Sequence, residues 1–259
     1  MDAKERLRLA NGQAFCYLSF IDERSGGALQ ALVFPYHRIS QAPPSEVFDK
    51  LVPIFQQWGC PQKLRVDNGE PFGSPQTSTT SELAFCLLAF GICVKTNRPA
   101  VPQDNSKVER LQGTSKRWSE VLQAQTLDEA QIKLNQAILI QREQYPVSRF
   151  QGKTRLQMFP ELNEKLKTWA PAEFEPQRVY DFLATKQYVR KVSAAGQVTH
   201  FGHKHTVGTH YKNQSVCLKF NSFLLQWEVY AANGQFIKLL EALYLASGRI
   251  KNMTVYSKN

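Results

Sequence analysis

The sequence predicts a mixed α/β chain: a sheet with helices on its faces, followed by a small C-terminal β-barrel. Three observations predict it. Near the start, two turn signals, Asn11-Gly12 and Ser25-Gly26-Gly27, separate three strand-like runs. From about residue 45 to residue 140, helical and strand periods alternate. After Gln197, short alternating runs return, broken by turns such as Asn233-Gly234.

Taken in order, residues 3–10 alternate loosely and meet Asn11-Gly12, and residues 14–21 continue on the other side as the second strand of a hairpin. Ser25-Gly26-Gly27 turns the chain into a third strand over residues 28–34. Ser45 is placed to cap a helix whose apolar stripe is Val47, Phe48, Leu51, Ile54, Phe55 and Trp58, with Gly59 at its end. Pro53 inside that stripe predicts a kink or a broken turn. Residues 63–66 read as a short strand running into Asp67-Asn68-Gly69, followed by a loop rich in Gly, Pro, Ser and Thr up to Ser81. A buried helix is expected over residues 82–89, a strand over 92–96, and an irregular stretch over 97–106. The next helix carries Val108, Leu111, Trp118 and Val121. Thr126 and Glu129 fit a capping box for one more, with Leu127, Ala130, Leu134, Ala137 and Ile138 as its stripe. The order β-β-β-α-β-α-β-α is that of a mixed sheet with helices on its faces. Residues 146–185 are studded with proline and read as a surface connector, and the strands beyond them as the barrel.

With 259 residues, 42% of them hydrophobic, the chain can bury one large core or two modest ones. Apolar runs such as residues 83–90 are far too short to cross a bilayer, and residues 1–8 are charged, without the apolar centre of a signal peptide. The five cysteines form no CxxC pair and read as free thiols in a reducing compartment. The net charge of +10 is unevenly spread: residues 186–259 hold ten Lys/Arg against two acids, Glu228 and Glu241, a net of +8, leaving +2 for everything before them. Such a basic segment beside a near-neutral one points to a polyanion-binding module attached to a module with other work.

Two carboxylates stand where chemistry needs them. Cleaving and joining DNA phosphodiesters benefits from two Mg²⁺ ions roughly 4 Å apart, one activating the attacking oxygen and one stabilising the leaving oxygen. Mg²⁺ is hard and prefers carboxylates and water. Asp67 sits where a strand ends, and Asn68-Gly69 lets the backbone turn away from it; Glu109 lies in the first turn of a helix that follows an irregular loop. Singly, each also fits a structural role, Asp-Asn-Gly as a common turn and Glu109 as a complement to the helix dipole.

Together their surroundings carry a resemblance. Leu64-Arg65-Val66-Asp67-Asn68-Gly69 resembles the second-aspartate motif of the retroviral integrase and bacterial insertion-sequence transposase superfamily, the DDE enzymes. Pro102-Gln103-Asp104-Asn105-Ser106-Lys107-Val108-Glu109-Arg110 resembles its Pro-x-x-Asn-x-x-Val-Glu motif around the catalytic Glu. The likeness runs from Asp2 to about Leu162 and is weaker in the C-terminal strands. It implies a ribonuclease H-like core that hydrolyses a strand at an element's end and joins the freed 3′-hydroxyl to target DNA. It further implies two Mg²⁺ or Mn²⁺ ions held by Asp2, Asp67 and Glu109, a homo-oligomer that handles two DNA ends, and a bacterial cytoplasmic setting, nucleoid-associated when DNA-bound.

The first aspartate has two candidates. Asp22, in Phe20-Ile21-Asp22-Glu23-Arg24-Ser25-Gly26, has well-formed surroundings. In the family, however, the catalytic aspartate lies on the first strand, and the end of the second carries its own Asp-x-x-Ser segment with no metal role. Asp2-Ala3-Lys4-Glu5 resembles the first-strand motif, with Asn11-Gly12 as its following turn, and a first strand neighbours the strand ending at Asp67. Asp2 is therefore the expected ligand. The family's residues before this aspartate are absent, so an N-terminal end-recognition domain is expected to be missing.

Lys116 lies seven positions after Glu109, on the same helix face, and is placed to hold a DNA phosphate. Lys107, Arg110 and Arg117 on adjoining faces extend that track, and Arg98 in the irregular loop is a similar candidate; a solvated basic face is the competing explanation. His200, His203, His205 and His210 match no common zinc pattern and have no adjacent cysteine, so a DNA-facing or solvated strand is expected there. Trp227 and Tyr230 read as core residues. The expected organisation is a catalytic core over residues 1–145, a connector over 146–185, and a basic DNA-binding barrel over 186–259. Two other classes stay open: a ribonuclease H-like nuclease without strand transfer, and a non-catalytic DNA-binding remnant of a truncated transposase.

Overall fold

The computed structural model describes residues 1–67, 71–74, 79–97, 106–164, 168–242, 245 and 250. Its principal elements are β1 (Asp2–Arg8), β2 (Ala14–Ile21), β3 (Ala28–Phe34), α1 (Pro44–Trp58), β4 (Lys63–Val66), α2 (Glu82–Ala89), β5 (Cys93–Thr96), α3 (Ser106–Ser119) and α4 (Leu127–Leu139). After them come α5 (Gln177–Ala184), β6 (Gln187–Lys191), β7 (Gln197–His200), β8 (His203–Thr206), β9 (Ser215–Asn221), β10 (Gln226–Ala231) and β11 (Phe236–Glu241). This is a mixed α/β chain with helices flanking its first sheet. Two compact units emerge, one made of Met1–Gly73 with Ile92–Ala170, the other of Ser74–Gly91 with Pro171–Asn259.

In the first unit, β2 is the middle strand of an antiparallel β1-β2-β3 sheet. Its residues are buried on both faces, because Phe15 and Tyr17 face the side covered by α3 and α4 while Cys16, Leu18 and Phe20 face the other. Phe15, Tyr17, Ala31 and Val33 form one core with Leu111 of α3 and with Ala130, Leu134 and Ile138 of α4. β4 and β5 pair in parallel, Lys63 to Cys93 through Val66 to Thr96. The Met1 ammonium donates to the Arg65 carbonyl at 2.8 Å, which brings the start of β1 beside β4. Gly59 ends α1 at φ 87°, a conformation that would strain any side chain. Several local expectations are corrected. Pro43 rather than Ser45 precedes α1, and the helix runs through Pro53 to Trp58. α3 stops at Ser119, because Glu120 adopts a left-handed conformation, so Val121 belongs to the following turn. The Thr126 hydroxyl does accept from Glu129 N, but Glu129 returns its bond to Gln125 N and not to the cap residue.

The second unit differs more from expectation. In place of a closed barrel, the described residues form an open four-stranded antiparallel sheet, β11-β10-β9-β6, and a separate β7-β8 hairpin. Residues 177–184, read from sequence as part of a surface connector, form α5 and bury Val179, Tyr180 and Leu183. These three join Trp227, Leu218, Val229 and Val216 in one core, together with Phe85 and Ala89 of α2. Trp227 is fully buried, as expected of a core residue, whereas Tyr230 lies on the outer face and donates its hydroxyl to Glu228 Oε2 at 2.7 Å. All five cysteines are free thiols. Among the described residues, no helix is long and apolar enough to cross a membrane.

Candidate active site

β1 sets Asp2 by strand alternation. Asp2 pairs with Ser19 and Lys4 with Tyr17, so both stand on the face of the sheet that α3 covers. β4 ends at Val66 and delivers Asp67, exposed, directly after it. α3 orients itself by burying Val108 and Leu111, which leaves Glu109 exposed in its first turn. Asp2, Asp67 and Glu109 all line one cleft of about 760 Å³. Asn68 and Gly69, and residues 102–105 of the second motif, lie outside the described residues.

Asp22 is elsewhere. Its Oδ1 accepts from the Ser25 backbone N–H and from the Ser25 hydroxyl, each at 2.7 Å, and its backbone closes the β2–β3 turn with Gly26 and Gly27. It lines a separate, more apolar pocket of about 550 Å³ beside Phe55, Trp58 and Leu162. Its carboxylate is thus a turn cap.

The remaining walls of the cleft include groups that sequence inspection passed over. Gln112, one turn after Glu109, is buried, and its Nε2 has no hydrogen-bond partner among the described residues. Behind the cleft and not lining it, the buried Tyr17 hydroxyl has no partner among the described residues, and burial first, then the nearby Asp2 carboxylate, push its pKa up. Lys4 and Arg38 supply cations on the β1 side. Lys4 was legible as the alternate neighbour of Asp2, whereas Arg38 sits in an irregular loop that only tertiary contacts bring to the site.

The expected phosphate track is less unified. The Lys107 ammonium donates to the Glu23 carbonyl and lines the Asp22 pocket. Arg110 and Arg117 are exposed and Lys116 is half-buried, and none of the three lines the cleft. Arg98 lies outside the described residues. In the second unit, His200 is enclosed by Tyr188, Phe201 and Trp227, and neither ring nitrogen has a hydrogen-bond partner among the described residues. Burial, with the positive charges of Arg190 and His205, pushes its pKa down to about 3. It is a neutral core residue.

Chemically, the three carboxylates offer hard oxygen donors of the kind that Mg²⁺ and Mn²⁺ take. Among the described residues, however, no group of three or more His, Cys, Asp or Glu side chains is drawn together as a ready-made metal site. The donor chemistry fits a divalent ion at this cleft, and the three carboxylates line it without being drawn together.

No protein-family model matches the chain. Among solved structures, it is similar to the catalytic core domain of BIV integrase, with 19% identity over 62% of this chain and 92% of that one, at a TM-score of 0.43. The HTLV-2 integrase catalytic core domain in complex with magnesium is 20% identical over 60% of this chain and 92% of that one, at 0.43. A simian T-cell lymphotropic virus intasome in complex with the PP2A regulatory subunit B56 gamma matches 93% of this chain and 76% of that one, at 16% identity and 0.45. At these values the likeness carries no weight for function, and the site stands on the chain's own geometry.

Proposed function

We propose that the chain is a DNA transposase or integrase of the DDE type, related to the bacterial insertion-sequence enzymes, that joins DNA ends in a metal-dependent reaction. The observation that carries this reading is that Asp2, Asp67 and Glu109, from a strand, a strand end and a helix, line one cleft while Asp22 does not. In this reading the three carboxylates hold two Mg²⁺ or Mn²⁺ ions, which when bound would activate the attacking oxygen and stabilise the leaving oxygen. The chain's own part is to keep the carboxylates on separate rigid elements. Gln112 lines the same space with a buried amide, and Lys4 and Arg38 face the incoming polyanion. No protein nucleophile is required. The basic segment from Lys186 onward supplies sequence-tolerant phosphate contacts. A bacterial cytoplasmic setting and assembly as a homo-oligomer on DNA go with this reading.

The test is a strand-transfer assay on pre-cleaved duplex ends with Mg²⁺ or Mn²⁺, comparing the wild type with Asp67→Asn and Glu109→Gln. Joined products that disappear in both variants support the reading. Cleavage without joining points to a nuclease instead. A second reading, a DNA-binding protein without catalysis, is favoured by the one observation that the carboxylates do not converge as a metal site. DNA binding that ignores divalent ions, with no turnover, would establish it.

A further inference from the structure

The cleft carries more negative charge than its three candidate ligands. Glu5 also lines it, so among the described residues four carboxylates face a space that has to admit a polyanion. Among the described residues, two side-chain cations face the same space, Lys4 and Arg38. Lys4 stands on the same face of β1 as Asp2 and two residues further along, which places its Cα about 7 Å away. That separation and the length of a lysine let its ammonium reach a phosphate next to the reacting one.

Arg38 reaches the cleft by a built connection. The β1–β2 ladder shifts register between Lys4 and Leu7, and Arg6 takes a φ of 58°, a strained conformation for a side-chain-bearing residue. The bulge turns the Arg6 N–H outward, where it donates to the His37 carbonyl at 2.8 Å. Glu5 Oε1 accepts from Ile39 N at 2.8 Å, and Ile39 buries its side chain. Gln41 closes the loop, accepting from Arg38 N at 2.9 Å through its side chain and donating from its backbone to the Arg38 carbonyl at 3.1 Å. The loop around Arg38 is thus tied on both sides of that residue, while the Arg38 side chain itself stays exposed.

We infer that Lys4 and Arg38 form a phosphate-binding subsite for the DNA strand next to the reacting phosphodiester, on the β1 side of the cleft, with Glu5 as the positioning residue that holds the Arg38 loop. This rests on the DNA-joining function proposed above and adds the direction in which the strand leaves the carboxylates. Carboxylates alone would repel the DNA backbone, and two cations at the edge of the cleft, one of them tied in place through the strained Arg6 and Glu5, offset that repulsion where a phosphate must pass.

The test uses the whole chain and duplex ends in which single phosphates next to the joining site are replaced, one at a time, by neutral methylphosphonates. Binding is followed by fluorescence anisotropy, and joining is followed in parallel with Mg²⁺. In the wild type, one or two positions should each weaken binding about tenfold, about 1.4 kcal/mol. In Arg38→Ala the effect at its own position should vanish, since the arginine that senses it is already gone, and Lys4→Ala should silence a neighbouring position. Arg38→Lys should restore most of the charge effect. If the variants and the methylphosphonates multiply independently at every position while joining persists, the subsite is wrong and the DNA-joining function is untouched. If the wild type joins no ends with either metal, the parent function fails and the subsite falls with it.

Discussion

The carboxylate of Asp22 grips Ser25 twice, through the serine's backbone N–H and its hydroxyl, each at 2.7 Å. The Ser25 hydroxyl is in turn accepting from Gly27 N at 3.0 Å, so one side chain organises the whole β2–β3 turn. Asp22→Ala removes both bonds and leaves buried Ser25 groups unpaired, an expected loss of about 1–3 kcal/mol in a denaturant titration. Asp22→Asn keeps an acceptor oxygen and should stay within about 1 kcal/mol of the wild type. Folded Asp22→Asn should join DNA as the wild type does. A dead but well-folded Asp22→Asn would show that the carboxylate has work beyond the turn.

Asp2→Asn should behave in the opposite way. A ligand position contributes several kcal/mol to a metal-assisted step, so its loss should lower the joining rate by at least about 100-fold. Asp67→Asn and Glu109→Gln should match it, and because both are exposed their unfolding transitions should not move. Retention of normal joining by Asp2→Asn would remove β1 from the site.

What was legible in the sequence was whatever depends on short-range pattern. The three-strand start could be read because Asn11-Gly12 and the Ser25-Gly26-Gly27 turn are chemically specific, whereas the preference for Asp2 over Asp22 came from the family resemblance, with strand order in agreement. α5 was hidden by the prolines around it: its buried Val179, Tyr180 and Leu183 occupy barely two turns, too few for a period to stand out. The barrel was overread, because alternation reports which residues of a strand face inward and says nothing of whether the sheet's edges meet. Arg38 was invisible for a similar reason. Its place depends on Glu5 and the bulge at Arg6, which reach it across more than thirty residues of chain.

His200 makes the second unit acid-sensitive. In the folded chain its pKa is held near 3 by burial and by the nearby Arg190 and His205, against 6.5 for an unhindered imidazole. Above pH 6.5 both states leave it neutral and it contributes no pH dependence. As pH falls below 6.5, the unfolded chain takes up a proton that the folded chain refuses, so stability is lost progressively down to about pH 3. At pH 5 that loss is roughly 2 kcal/mol. Urea titrations at pH 7.5 and pH 5 should show it, and His200→Phe, which fills the same aromatic enclosure without a titrating group, should abolish most of the difference. An equal acid loss in His200→Phe would assign the effect to other groups.

The basic segment invites a fragment experiment, and the fold shows why the cut matters. A fragment beginning at Lys186 would discard Val179, Tyr180 and Leu183, and also Phe85 and Ala89, all of which belong to the core around Trp227. Leu183 is fully buried, and Leu183→Ala alone should cost about 2–5 kcal/mol. DNA binding by the segment is therefore better tested in the whole chain, by neutralising cations that carry no core. Lys191, Lys204 and Lys212 are exposed. If they touch phosphates, replacing all three by Gln should weaken duplex binding to a similar degree on every sequence. The plot of log affinity against log salt should become shallower by up to about 3, roughly 0.9 for each phosphate no longer neutralised. The unfolding transition should stay where it is, since exposed substitutions of this kind change stability by about 0.5 kcal/mol at most. A triple variant that binds with the wild-type salt slope would mean that these charges are solvated and that DNA is held elsewhere.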